Sequence, residues 1–340
     1  MNMEHMTKQE LTELIAANTT VPEARLLAEA RAVCAESYGR RVFARGLIEF
    51  TNYCKNNCYY CGIRAANKNV RRYRLTEAEI LNCCAQGAAL GFHTFVLQGG
   101  EDPFFTDNQI AGIVSKIKTA HPDCAVTLSI GERSRESYRL FRTAGADRYL
   151  LRHETATDSH YRKLHPINMQ LANRKQCLYD LKELGFQVGA GFMVGAPGQT
   201  AENLAKDLLF LKELHPQMVG IGPFLPHADT PFRDMPAGSV PLTLTMLALT
   251  RLLLPAVLLP ATTALATADN QGHALGFSAG ANVVMPNLSP AGVRADYALY
   301  NNKAHLGDEA AESIRTLRQN IEAAGYILDM SRGDCIETAG

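Results

Sequence analysis

Three thiols stand within eight residues of one another, Cys54, Cys58 and Cys61, separated by three residues and then by two. Thiolates gathered so tightly are ligands for zinc or for an iron–sulfur cluster. A closed structural zinc site takes four protein ligands, and no fourth Cys or His lies nearby in the chain. Three ligands on a four-iron cluster would instead leave one iron open to a small molecule. The spacing favours the cluster, with zinc as the alternative. Unpaired core thiols explain the pattern poorly, because Lys55, Asn56 and Asn57 sit among the cysteines.

Other residues with chemical potential follow further along. Gly99-Gly100 lets a ligand approach the backbone closely, and free carbonyls there can accept from an ammonium group. Arg148, Arg152, His153 and Glu154 put four ionisable groups on an otherwise apolar strand, which is costly unless they pair with each other or with a ligand. A buried Arg–Glu network bracing the core is the structural alternative. Arg174, at the start of the next helix, either grips a carboxylate or is a solvated surface arginine. Thr262-Thr263 offers paired hydroxyls to an anionic or metal-bound substrate. Tyr297 and Tyr300 either close over a mouth or pack along a helix. His227, in a Pro-rich loop, reads as a lone surface imidazole. The stretch from Gly195 through Pro197 and Gly198 to Thr200 has a complete explanation as a turn and a helix cap.

Stepping outward from these residues, the chain alternates short apolar runs with longer amphipathic ones. Strands are expected at 42–50, 94–98, 125–130, 148–151, 188–194, 218–222, 260–264 and 282–285, with helices between them. Gly91, Gly145 and Gly185 fall where helices should end. Eight strand–helix alternations predict an α/β fold, a complete (β/α)8 TIM barrel; an open doubly wound sheet is the runner-up. Two polar-faced helices, the second capped at Thr20 and Pro22, form an N-terminal helical cap over 1–41. The barrel is expected over 42–325 and a C-terminal tail over 326–340. In a parallel barrel, active-site groups belong at the C-terminal strand ends. The three cysteines, Gly99, Glu101, Ser129, Glu154 and the Gly195 turn all fall there.

Composition excludes several classes. Lys plus Arg and Asp plus Glu number 34 each, so no basic field points to nucleic acid. Nine cysteines in 340 residues do not resemble a small disulfide scaffold. The segment from Met1 to His5 has no apolar signal core, and the longest apolar stretch, 242–265, is broken by Arg251, Pro255 and Pro260. A reducing, cytoplasmic setting without membrane contact is expected.

The C-x3-C-x2-C loop, with Tyr60 before its last cysteine, resembles the signature of the radical S-adenosylmethionine enzymes. There the open iron is chelated by the methionine moiety, and the reduced cluster cleaves the sulfonium to give a 5′-deoxyadenosyl radical. The phrases IEFTNYCKNNCYYCGIR, RYRLT, VLQGGEDP, GADRYLLRHETA, GFMVGAPGQT, MVGIGPFLPHADTP, LALTRLLLP, PATTAL and GANVVMPN together resemble the HydE family of iron-only (FeFe) hydrogenase maturases. Biotin synthase and methylornithine synthase share parts of this framework, and sulfur chemistry or amino-acid mutase activity is the alternative function. The resemblance implies a 4Fe-4S cluster on Cys54, Cys58 and Cys61. It implies S-adenosyl-L-methionine among Tyr60, Gly99, Glu101, Ser129, Glu154 and Arg174. It also implies a substrate cavity lined by Arg45, Arg148, Thr262, Thr263, Tyr297 and Tyr300. The expected substrate is a cysteine-bound iron carbonyl cyanide unit supplied by a partner maturase. A low-potential electron donor, ferredoxin or flavodoxin, is expected as a further partner. One departure stands out. Some family members carry a second cysteine set near the C-terminus, whereas residues 301–317 here hold His305, Asp308, Glu309 and Glu312 but no cysteine. A second cluster is therefore not expected, and Cys34, Cys83, Cys84, Cys124 and Cys177 read as core or helix-face thiols.

Overall fold

Threonine side chains start several of the helices. Thr7, Thr76, Thr106 and Thr200 each adopt an extended backbone and accept from the amide three residues on, closing reciprocal capping boxes. The computed structural model describes residues 3, 5–303 and 310–336. Helices α1 (Lys8–Ala17) and α2 (Ala24–Tyr38) come first and pack on two later helices, α8 (Ala201–Leu214) and α9 (Val240–Leu253). The N-cap of α2 is Glu23, without a side-chain cap, and not the expected Thr20; Asn18, the C-cap of α1, braces the junction. Its side chain accepts from the Glu23 amide at 2.7 Å and donates to the Leu14 carbonyl at 3.0 Å.

The single strand expected over 42–50 is two. β1 (Arg41–Ala44) and β2 (Gly46–Thr51) part at Arg45 and join different sheets. After β2 come α3 (Glu77–Ala89), β3 (Thr94–Gly99), α4 (Asp107–Ala120), β4 (Ala125–Ser129), α5 (Arg135–Thr143) and β5 (Arg148–Leu150). Next are α6 (Asp158–Leu164), α7 (Leu171–Glu183), β6 (Gln187–Val194), α8 and β7 (Met218–Pro223). Strands β2 to β7 form one six-stranded sheet in sequence order, parallel throughout. Such sheets are covered on both faces, which is why Phe95, Val126, Tyr149, Val188 and Ile221 are all fully buried. Each such side chain contributes about 1.5–3 kcal/mol by leaving water.

Beyond α9 the regularity falls away. The strand expected at 260–264 is reduced to single bridges, Met218 to Leu258 and Pro260 to Val283, and Thr262 instead caps α10 (Thr263–Ala268). Pro260 lacks an amide to donate, and a threonine followed by a helix-forming Thr-Ala-Leu-Ala run favours the cap. The chain continues through α11 (Gly272–Ser278), β8 (Val283–Val284), α12 (Ala291–Arg294), α13 (Ala310–Ala323) and β9 (Ile327–Asp329). β1 pairs in parallel with β8 on one side and β9 on the other. A last bridge, Leu47 to Asn287, returns the pairing to β2. The fold is thus a parallel α/β barrel whose seventh position is a pair of bridges. Among the described residues, no helix is long and apolar enough to cross a membrane.

Candidate active site

The loop after β2 presents the three cysteines, and Arg72 holds it in shape. The Arg72 guanidinium donates to four backbone carbonyls, those of Asn52, Ile63, Arg64 and Asn67. Such a fork needs an arginine, since a lysine has no planar array of donors. Asn67 donates to the Gly62 carbonyl at 2.7 Å, and the Tyr59 amide donates to Leu164 at 2.9 Å.

The thiols open onto a cavity of about 290 Å³ at the C-terminal strand ends. Cys54, Cys58, Tyr60, Cys61, Gly99, Glu101, Ser129, Glu154, Arg174, Thr262, Tyr297 and Tyr300 all line it, so twelve of the fifteen expected site residues converge there. Burial pushes the thiol of Cys54 up, that of Cys58 well up, and that of Cys61 up to about 12. Without a metal these are neutral thiols, and thiolates form on metal binding. Among the described residues, no three His, Cys, Asp or Glu side chains come close enough for one metal ion.

The remaining walls offer polar groups with capacity to spare. Glu101 accepts from the Glu132 amide at 3.0 Å and faces Lys55 at 3.3 Å. Gly100 passes so close to Tyr53 and Cys54 that a side chain there would lie 2.2 Å from a carbonyl oxygen. Arg174 is buried on α7, not solvated, and donates to Glu132 at 2.5 Å and to the Arg152 carbonyl at 3.2 Å. Glu154 lies 3.3 Å from Arg152, yet Glu154 Oε2 and Arg152 Nε and Nη2 form no hydrogen bond within the protein. Glu154 is buried, and a carboxylate oxygen left there without a donor is costly; Arg152, whose side chain is 33% exposed, is its ion-pair partner. Tyr60 is tied at 3.1 Å to Nε2 of His165, whose ring stacks on Tyr161. Burial pushes His165 down to about 3, so it stays neutral.

Three expected residues lie elsewhere. Arg148 is the first residue of β5, at the opposite end of the barrel from the cavity. It is fully buried and donates to Asp334 at 2.6 Å, the Arg332 carbonyl at 2.7 Å, Thr94 at 3.2 Å and Gln187 at 3.3 Å. The family resemblance placed it in the substrate cavity; its position at the start of β5 puts it at the other end. Arg45 lies in the same lower layer, with Nη1 against Met218 Sδ at 2.6 Å and Nε and Nη2 unpartnered. Thr263 is the first residue of α10 and leaves the cavity to Thr262, whose hydroxyl caps the helix at 3.3 Å. His227 is buried, not on the surface, because its Nδ1 accepts from the Asp229 amide within a tight turn. His305, Asp308 and Glu309 lie outside the described residues.

Gln98 and Arg152 line the cavity as well. The sequence singled out Arg152 as one of four ionisable groups on its strand without assigning it to the site; for Gln98, missed beside Gly99, the position at a strand end was the available signal. Lys303 was also missed. It pairs with buried Glu49 and donates to the Tyr297 carbonyl at 3.0 Å, fixing the segment that carries both cavity tyrosines.

The sequence pattern of the Radical SAM superfamily matches residues 48–211. The chain is 45% identical to the FeFe hydrogenase maturase subunit HydE of Thermotoga maritima, over 94% of this chain and 91% of that protein. It is 29% identical to 3-methylornithine synthase of Methanosarcina barkeri, over 94% and 89% of the two chains. A crystal structure of methylornithine synthase superposes with a TM-score of 0.82 at 26% identity, covering 96% of each chain. HydG, a maturase of the FeFe hydrogenase, shares the fold with a TM-score of 0.76 at 20% identity, over 96% of this chain and 77% of that one. Strand order, cysteine loop and relatives agree: the chain belongs to the radical S-adenosylmethionine enzymes and, among them, to the HydE family.

Proposed function

We propose that this enzyme acts in assembling the di-iron cofactor of FeFe hydrogenase, on a cysteine-bound iron carbonyl cyanide precursor. In this reading Cys54, Cys58 and Cys61 hold a 4Fe-4S cluster. When bound and reduced, the cluster supplies the electron that splits S-adenosyl-L-methionine. The donor set fits it: three thiols round one cavity, with Gly100 letting the cysteine loop pack closely against the end of β3.

The other residues bind and orient. Glu101, next to Gly99 and Gly100, receives the amino group of the methionine moiety. Arg174 meets its carboxylate, and Glu132 keeps that guanidinium in place. Tyr60, Ser129 and Glu154 complete the S-adenosylmethionine side. Thr262, Tyr297 and Tyr300, joined by Arg152, face the substrate across the cavity. Arg152, a cation on the cavity wall that makes no completed hydrogen bond to Glu154, supports an anionic substrate, and Arg45 drops out of the lining. Arg148 and Thr263 drop out of the substrate set in this reading. Nine free cysteines suit a reducing, cytoplasmic setting, with ferredoxin or flavodoxin as donor and other maturases as partners.

The observation that carries the reading is the convergence of twelve expected residues on one cavity in a chain 45% identical to a HydE. Its test is activation of an apo-hydrogenase with the partner maturases present; activation without this protein, or none with it, would refute the role. The close superposition on methylornithine synthase favours a second reading, an amino-acid mutase. Consumption of lysine with no hydrogenase activation would select it.

A further inference from the structure

Behind the mouth of the barrel lies a buried polar group that the proposed chemistry does not use. His153 follows β5 and Asp207 sits mid-way along α8, and both are fully buried. His153 Nδ1 accepts from the Gly191 amide at 3.3 Å, which leaves the ring proton on Nε2. That nitrogen stands 3.4 Å from Asp207 Oδ1 without completing a hydrogen bond, so the turn is tied to α8 through the Ala156 amide. The same Asp207 oxygen accepts from the Ala156 amide.

Between these two anchors lies Glu154. Its backbone is left-handed, φ +65°, and its amide donates to the Gly191 carbonyl at 3.0 Å. A residue with a side chain held in this region costs about 1–3 kcal/mol and persists only where its surroundings over-determine it. Gly191 serves both neighbours, carbonyl to Glu154 and amide to His153. It also passes so near Gly220 that a Cβ would lie 2.1 Å from the carbonyl oxygen. The turn 153–156 is therefore gripped by β6 on one side and by α8 on the other. Neither His153 nor Asp207 lines the cavity, while Glu154 between them does.

We infer that Asp207 and His153 are positioning residues for Glu154, clamping a strained turn so that its carboxylate faces the cavity. The assignment rests on the reading that Glu154 binds S-adenosylmethionine. The pair acts on the cofactor site from outside it. A carboxylate displaced by an ångström loses about a hundredfold in a well-oriented site, so a partial release should be read easily.

The test titrates S-adenosylmethionine into the reconstituted, reduced protein and follows the change in the cluster's electron paramagnetic signal. Asp207→Leu is expected to weaken binding about tenfold or more at unchanged iron content. Asp207→Asn, which keeps an acceptor oxygen, should stay within about threefold of the parent. In a Glu154→Ala background the Asp207→Leu change should cost nothing further. An equal loss in both backgrounds would mean that Asp207 only supports the fold, and would overturn the proposal. If Asp207→Leu does not fold, His153→Phe is put through the same cycle. It keeps the packing on Phe192 and Phe210 and removes the acceptor for Gly191. A parent protein that fails to bind S-adenosylmethionine would refute the proposed function, and this assignment with it.

Discussion

The two ends of the barrel treat their arginines in opposite ways. At the cavity, Arg152 and Glu154 face each other at 3.3 Å without completing a hydrogen bond. At the other end, every nitrogen of Arg148 has a partner, and three of its four acceptors come from residues 187, 332 and 334. Both arginines are on one short stretch of chain, four residues apart. What separates them is satisfaction of their donors. Burying a polar group is costly unless it is paired, so a paired one reads as structure and an unpaired one as a place prepared for a ligand.

The largest effect that would sharpen this contrast lies at the cluster loop. Cys58→Ala should abolish cleavage of S-adenosylmethionine and the 4Fe-4S absorption, while the melting temperature of the apoprotein stays within a few degrees of the parent. Cleavage retained in that variant would refute the ligand assignment.

Next comes the far end. Arg148→Ala should lower stability by about 2–3 kcal/mol, short of the roughly 3–5 kcal/mol of a fully buried pair, since Asp334 is 37% exposed. The affinity for S-adenosylmethionine should not change. Denaturant unfolding checks the first outcome and titration the second; a lost affinity with unchanged stability would erase the distinction between the two ends.

The smallest effect is one of pH. Burial lowers His165 to about 3, against an unfolded value near 6.5. Its stabilising contribution is complete above the unfolded value and is lost as pH falls from there towards about 3. His165→Gln should flatten the fall in melting temperature between pH 7 and pH 4. An identical slope in the variant would mean that other groups govern acid unfolding.

The cavity was legible because its residues are tied to strand ends, and strand ends show in hydrophobic periodicity. The cysteine spacing, Glu101 after Gly99-Gly100, and Glu154 after an apolar run all survive into the structure. What failed had a different physical basis. Arg148 was assigned to the substrate cavity by family resemblance, which does not say at which end of a strand a side chain lies; it starts β5, at the end opposite Glu154. Asp334 stands 186 residues from Arg148, beyond any local signal. Thr263 was lost because capping chemistry outcompeted strand propensity once Pro260 had removed an amide. The seventh strand expected there dwindled to bridges for the same reason.

One arrangement has a consequence for how the molecule is made. β1, at residues 41–44, finds its partners only in β8 and β9, at 283–284 and 327–329. Synthesis runs from the N-terminus, so β1 leaves the ribosome long before either neighbour exists. That pairing can form only when nearly the whole chain has emerged. Trimming residues 327–336 would therefore cost more than a loose end: it would strip one side of the first strand and uncover the charge on Arg148.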